Sequence, residues 1–181
     1  MVRRESLTPD EDTVARAAKY CFRIDREADG HSGEVWDEQG APLWRYGRHG
    51  VRPARTRSNP FRKRDFVFAD TDGGAELLIR RASFLPPVFH IVENETIVGR
   101  IGLRSALRNK YAIDLQGMGH WTFRLPLFSV SFYGISDNTP GIWALVGPSK
   151  TEWNVLVRSG LPGRQLVAAL AFIHTEWWNY S

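Results

Sequence analysis

The fold of this chain is decided by residues 161–180, which read LPGRQLVAALAFIHTEWWNY. Pro162 and Gly163 mark the start of a helix, and residues 166–173 then form an unbroken apolar run. Within that run stand the strong helix formers Ala168, Ala169, Leu170 and Ala171. On a period of 3.6 residues the apolar side chains cover both sides of the helix. Such a helix must be buried on all sides or lie in a membrane.

The length of the apolar run favours burial in protein. Eight helical residues rise only about 12 Å, whereas a bilayer core needs about 30 Å. Arg164 and His174 bracket the run too closely for a membrane span. The segment therefore predicts a helix, over about residues 162–178, that the rest of the protein surrounds.

The composition indicates one globular domain. Its 181 residues can bury a full core, and 43% hydrophobic and 24% charged residues argue against disorder. The single Cys21 cannot form an intramolecular disulfide, and the first twelve residues lack the apolar centre of a signal peptide. The lack of a disulfide and of a signal peptide predicts a cytoplasmic protein, and the charge pattern described below adds a peripheral association with a membrane.

Short strands separated by turn residues precede the helix. Gly40 and the run Asp72-Gly73-Gly74 supply hairpin turns. The predicted strands cover residues 20–26, 34–37, 42–46, 65–70, 75–81, 87–92, 96–103, 111–115, 120–125, 128–135, 141–146 and 151–157. Before them, residues 1–19 form an N-terminal segment with a short helix predicted from Pro9 to about Ala18.

The strand count and the apolar helix together predict the architecture. Barrel diameter grows with strand number, so twelve strands leave a lumen, and a helix about 10–12 Å across fills it. We therefore predict a mainly β fold for residues 20–181, a closed twelve-stranded antiparallel β-barrel around a buried C-terminal α-helix. The helix then occupies the lumen, which disfavours a small-molecule carrier.

The order of these motifs resembles the tubby C-terminal-like superfamily, which includes tubby proteins, LURP-one-related proteins and phospholipid scramblases. The resemblance spans roughly residues 20–180. It lies in VWDEQGAPLW (35–44), DTDGGAELLIRR (70–81), IVGRI (97–101), TEWNV (151–155) and LPGRQLVAALAFIH (161–174).

The resemblance implies a twelve-stranded barrel around a central C-terminal helix. It also implies an association with membranes, because tubby domains bind phosphoinositides at a basic patch and scramblases are membrane-associated. Many LURP-one-like members have no assigned biochemistry. This chain departs from scramblases in having no Cys cluster and no Pro-rich N-terminal region. No phosphoinositide-contacting residue of the tubby proteins aligns one for one, so none is carried over.

Positive charge is concentrated in residues 45–64, which contain eight Lys or Arg and no acid. Removing these eight from the 24 basic residues leaves 16 against 20 acids, a net charge of −4. Two Gly and two Pro in residues 47–64 predict a long loop, and long loops are commonly functional. The candidate anion- or lipid-binding residues are Arg52, Arg55, Arg57, Arg62, Lys63 and Arg64. The alternative is a solvated loop without a ligand.

Other chemistry finds little support in the sequence. The five His lie in no metal-ligand spacing, and no serine-hydrolase, zinc-protease, Walker A or dinucleotide-binding motif is present. Asp70, Asp72 and Glu76 resemble a calcium loop only superficially, because Arg81 stands where a bidentate Glu is needed. We therefore predict no enzyme activity, no cofactor and no metal.

The sequence favours a non-enzymatic module that binds a membrane surface or anionic, phosphoinositide-like lipids. A nucleic-acid-associated protein using the same loop is an alternative, although the loop offers Phe61 as its single aromatic residue and so has no platform on which bases could stack. An interaction or scaffold domain with an unknown protein partner is a further alternative.

Overall fold

The computed structural model describes residues 17–25, 32–48, 65–105, 110–124, 132–136, 142–146, 152–158 and 160–178. The strands, in chain order, are β1 (Ala17–Asp25), β2 (Ser32–Trp36), β3 (Pro42–Arg48), β4 (Phe66–Asp70), β5 (Glu76–Phe84), β6 (Pro87–Glu93), β7 (Thr96–Ser105), β8 (Lys110–Leu115), β9 (Gly119–Arg124), β10 (Phe132–Ser136), β11 (Ile142–Val146) and β12 (Glu152–Arg158). One helix, α1 (Gly163–Trp178), follows them. The predicted mainly β fold with a C-terminal helix is confirmed.

The strands pair antiparallel with their neighbours in sequence. Ten of them, from β12 through β1 to β9, have described side chains and form one continuous sheet. Strand β1 pairs with β2 on one side and with β12 on the other. Of β10 and β11 only the backbone is described, and it pairs with β9 and β12. The topology is therefore a succession of hairpins.

Helix α1 is enclosed by protein on every side. All eight residues from Leu166 to Ile173 are at most 3% exposed. Eight consecutive helical residues cover more than two full turns, so no side of the helix faces solvent there. Thr175 is also buried, and its hydroxyl donates a hydrogen bond to the Ala171 carbonyl. The burial predicted from the apolar run is thus present along that run.

Aromatic contacts connect the helix to the sheet. The ring of Phe172 meets Phe66 of β4 at 5.4 Å and Phe89 of β6 at 4.6 Å between centroids, both edge-on. Tyr46 of β3 stacks beside Phe66 at 5.7 Å. Edge-on and offset pairs of this kind add to the area that each ring buries. The inner faces of β3, β4 and β6 therefore carry aromatic rings, and Phe172 packs α1 against two of them.

The turns that glycine was predicted to make are observed. Gly40, in the turn between β2 and β3, has a φ of 80°, and Gly73, between β4 and β5, has a φ of 81°. A side chain would be strained at such positive φ values. Both hairpins therefore follow from the local sequence.

Strand β1 begins earlier than the sequence predicts. Most of the predicted N-terminal helix lies outside the described residues, but Ala17 and Ala18 at its end belong to β1. They pair with Arg158 and Val157 of β12. Helix propensity was a poor guide here, since pairing with a strand from the end of the chain determines their conformation.

Gly99 marks a close approach between β7 and β8. A Cβ built at this position would lie 2.6 Å from the Asp114 carbonyl oxygen and 2.6 Å from Leu115 Cδ2. The backbone oxygen cannot move without disturbing the β7–β8 ladder. In the same strand, a Cβ at Gly102 would meet nothing within 4 Å.

Gly99→Ala is expected to destabilise the protein by about 1–3 kcal/mol, the usual cost of inserting a methyl group into a packed site. Gly102→Ala is the matched control and is expected to change stability by no more than about 0.5 kcal/mol. Urea unfolding followed by circular dichroism measures both. Equal midpoints for the two variants would show that the β7–β8 spacing is not as tight as described.

Candidate functional site

The hairpin topology gives the sheet two rims. We call the rim at which α1 begins the helix-start rim. It carries the connections at residues 37–41, 71–75, 94–95, 116–118, 137–141 and 159–162. The opposite rim, which we call the far rim, carries the connections at residues 26–31, 49–65, 85–86, 106–109, 125–131 and 147–151. Each connection joins the end of one element to the start of the next, and both of these ends lie at the same rim.

The sequence divides charge between these two rims. The connections of the far rim contain nine basic residues and three acidic ones. Those of the helix-start rim contain five acidic residues and no basic one. The helix-start acids are Asp37, Glu38, Asp72, Glu95 and Asp137. The alternation of strand direction therefore joins the basic connections to one set of strand ends and the acidic connections to the other.

The six predicted anion-binding residues all fall in one far-rim connection. Arg52, Arg55, Arg57, Arg62, Lys63 and Arg64 lie outside the described residues. The flanking strands are described, and Arg48 at the end of β3 pairs with Phe66 at the start of β4. The predicted basic segment thus leaves and rejoins the sheet at neighbouring strand positions.

Part of the predicted loop is a strand. The predicted strand 42–46 extends through Gly47 to Arg48, so the connection starts after Arg48 and not at residue 47. Gly47 does not end the strand because it pairs with Ser32 on one side and with Val67 on the other. Two backbone ladders outweigh the low strand propensity of glycine at this position.

A second basic connection lies on the same rim. The predicted strands 96–103 and 111–115 leave residues 104–110 between them, but β7 extends to Ser105 and β8 begins at Lys110, and these two residues pair. Only residues 106–109, which include Arg108, lie between the strands. The β7–β8 connection is therefore short, with Arg104 and Lys110 at the strand ends that flank it.

The turn between β5 and β6 lies between these two basic connections. Leu85 in this turn is 91% exposed. Pro86 is also exposed, and Phe84 and Pro87 pair across the turn. Leu85 was not among the predicted site residues, and the signal that could have identified it is the apolar run Phe84-Leu85-Pro86 between two predicted strands.

The outer face of the sheet carries cross-strand ion pairs. Arg100 of β7, Asp114 of β8 and His120 of β9 lie side by side in the ladder. Arg100 Nε donates to Asp114 Oδ2 at 2.8 Å, and His120 Nδ1 is hydrogen-bonded to Asp114 Oδ1. Burial alone would raise the pKa of the Asp114 carboxyl, but the bonds from His120 and Arg100 outweigh it and lower that pKa. The cluster ties three strands together and keeps the carboxylate ionised.

Two further ion pairs lie on this face. Arg80 donates to Asp65 Oδ2 through Nε and Nη2, and Arg45 Nε donates to Glu34 Oε1 at 3.1 Å. Exposed pairs of this kind contribute only about 0–1 kcal/mol each. These three guanidinium groups, of Arg45, Arg80 and Arg100, thus have carboxylate partners.

At the helix-start rim, Arg164 connects α1 to two hairpin turns. Its Nη1 donates to Glu93 Oε1 at 3.0 Å, its Nη2 lies 3.3 Å from Asp70 Oδ1, and Nη2 also donates to the Ala75 carbonyl. Gln165 Nε2 donates to the other oxygen of Glu93 at 3.0 Å. We call these residues the Arg164 network. It fastens the first turn of the helix to β4, β6 and the turn after β4.

The acids that resemble a calcium loop have other partners. Asp70 binds Arg164, and Asp72 Oδ1 accepts a hydrogen bond from the Gly74 backbone at 3.2 Å. Within the described ranges, no group of three or more His, Cys, Asp or Glu side chains is arranged to hold a metal ion. Asp70 and Asp72 therefore act in an ion pair and in a turn.

Comparison with known proteins found no matching family model, no matching curated protein and no matching solved structure. In the part of the chain that the structure describes, no helix combines the length and the apolar character needed to cross a membrane.

Proposed function

We propose that this protein is a non-enzymatic module that binds anionic membrane surfaces, with phosphoinositide-like headgroups as its ligand class. The contact is made by the basic connection between β3 and β4. The observation that carries the proposal is the division of charge between the rims, nine basic and three acidic residues in the far-rim connections against five acidic and none basic at the helix-start rim.

This division of charge favours one orientation at a membrane. An anionic surface attracts the far rim, and each Lys or Arg close to it contributes about 1 kcal/mol. The acidic helix-start rim is repelled and faces away from the lipid. Clustered Arg also suits phosphate groups, because a guanidinium can donate two parallel hydrogen bonds to one phosphate.

We further propose that the sheet closes into a twelve-stranded barrel around α1, as in the tubby C-terminal-like superfamily. The pairing of β1 with both β2 and β12 supports closure, as does the burial of α1 on all sides. A helix inside the sheet occupies the space that a small-molecule ligand would need. This favours a binding surface on the outside of the molecule.

Co-sedimentation with vesicles tests the proposed function. The protein is expected to bind phosphatidylcholine vesicles that contain a phosphoinositide or phosphatidylserine, and not phosphatidylcholine alone. Replacing Arg52, Arg55, Arg57, Arg62, Lys63 and Arg64 by Gln should weaken binding at least about tenfold. A control variant, Lys19→Gln with Arg158→Gln, removes two exposed charges near the helix-start rim and should leave binding unchanged.

Three outcomes would contradict the proposal. They are equal binding to neutral and anionic vesicles, no loss in the six-residue variant, and a loss of the same size in the control variant. A gel shift with duplex and single-stranded nucleic acid separates the alternative, since nucleic-acid binding through this segment would fall steeply with salt.

A further inference from the structure

The tip of the β5–β6 hairpin is apolar and exposed. Leu85 is 91% exposed, against 41% for Ile97 and 50% for Met118, the two other large apolar side chains found exposed among the described residues. Ile97 and Met118 lie towards the acidic helix-start rim, whereas Leu85 lies at the far rim. Exposing one Leu so fully forgoes the free energy that its burial would contribute to folding.

The residues around Leu85 contain no charge. From Ala82 to Phe89 the sequence is ASFLPPVF, and the first charged side chain before it is Arg81. Arg81 does not point away from the sheet at this turn, since its guanidinium lies over the Phe89 ring at 5.4 Å. The tip can therefore leave water without carrying a charge into an apolar medium.

The backbone of the tip also suits an apolar environment. Pro86 and Pro87 have no N–H group, so two of the donors that a turn would otherwise expose are absent. An unpaired N–H costs free energy when it leaves water. A turn with two prolines thus enters an interfacial region at a lower cost than a turn of ordinary residues.

The neighbours of the tip indicate what covers it. Along the sheet, the β5–β6 turn lies between the β3–β4 and β7–β8 connections, with strand neighbours about 4.8 Å apart. The sequence of the first contains six basic residues and one acid, Asp65, which binds Arg80, and that of the second contains Arg108. An apolar tip between two basic segments fits a surface that is anionic outside and apolar just beneath it.

We infer that Leu85 inserts into the headgroup and upper acyl region of an anionic bilayer when the far rim binds it. This inference rests on the proposed function and adds an insertion residue to it. The basic connections supply attraction to the surface, and Leu85 supplies burial of apolar area, so the two together hold the far rim against the lipid.

A single fluorophore can report insertion, because the chain has one cysteine. An environment-sensitive dye is attached at position 85 in Cys21→Ser/Leu85→Cys, and at position 116, an exposed helix-start position, in Cys21→Ser/Gln116→Cys. Vesicles of phosphatidylcholine with phosphatidylserine should shift the emission of the first dye to the blue and allow quenching by a lipid-borne quencher. The dye at position 116 should not change.

Affinity provides the second measurement. Leu85→Ser should weaken vesicle binding about tenfold, while Leu85→Met, which keeps a large apolar side chain, should bind like the unchanged protein. Both variants should melt like the unchanged protein, since position 85 is exposed.

The outcomes separate this inference from the proposed function. Vesicle binding with an unshifted dye at position 85, or with a shift at position 116 instead, overturns insertion and leaves surface binding intact. No binding of the unchanged protein overturns both. A dimer in vesicle-free buffer that Leu85→Ser converts to a monomer would show that a second copy covers the tip, which also overturns the inference.

Discussion

Ala169→Asp is expected to abolish soluble folding. Ala169 is fully buried in the middle of α1, and the residues around it from Leu166 to Ile173 are buried too. A carboxylate there leaves water without a partner, which costs several kcal/mol, and the larger side chain also overfills a packed site. Domains are stable by only about 5–15 kcal/mol. One such substitution therefore removes a large part of the stability, and Phe172→Asp should act in the same way.

Soluble yield and the circular dichroism melting curve measure this effect. The matched control is Ala82→Asp, the same chemical change at an exposed position of β5. It should stay within about 0.5 kcal/mol of the unchanged protein. A soluble Ala169→Asp protein with an unchanged melting curve would show that α1 is not enclosed as described.

The sequence predicts the enclosed helix well because the signal is local. Eight consecutive apolar residues cannot present one polar side, so any helix they form must be surrounded. The hairpin turns at Gly40 and Gly73 are predicted for a similar reason, since positive φ is a property of a single residue. Both kinds of prediction depend only on neighbours in the chain.

The sequence predicts less where distant residues determine the result. Ala17 and Ala18 favour a helix locally, yet they pair with β12 at the other end of the chain. Leu85 between two strands is equally consistent with a core residue, and only the full pairing shows it at a hairpin tip. The division of charge between the rims likewise becomes visible only when every strand has a direction.

The partners of Arg164 could not be predicted for the same reason. In the sequence Arg164 is only a charged residue just before an apolar run. Its contacts, Glu93 and the Ala75 carbonyl, lie 71 and 89 residues earlier. Nothing in the local pattern indicates that one guanidinium joins the first turn of α1 to two separate hairpins.

Arg164→Met is the second substitution with a large expected effect. Methionine keeps the apolar stem, but Glu93 and Asp70 lose their cation, and the side chains of Arg164 and Glu93 are each only 19% exposed. Removing one partner of a buried ion pair costs about 3–5 kcal/mol, and the residual exposure lowers this to about 2–4 kcal/mol. For a chain of this size the melting temperature should fall by roughly 4–16 °C. Arg158→Met, at an exposed position of the same rim, is the control and should melt like the unchanged protein.

A double-mutant cycle distinguishes the ion-pair network from lost packing. If the cost of Arg164→Met comes from carboxylates left without a cation, adding Glu93→Gln should restore part of the stability, because it removes one uncompensated charge. If the cost came from packing of the Arg stem, the two losses would add. Strict additivity would therefore contradict the role assigned to Arg164, whereas recovery would show that charge pairing across the helix-start rim holds α1 against the sheet.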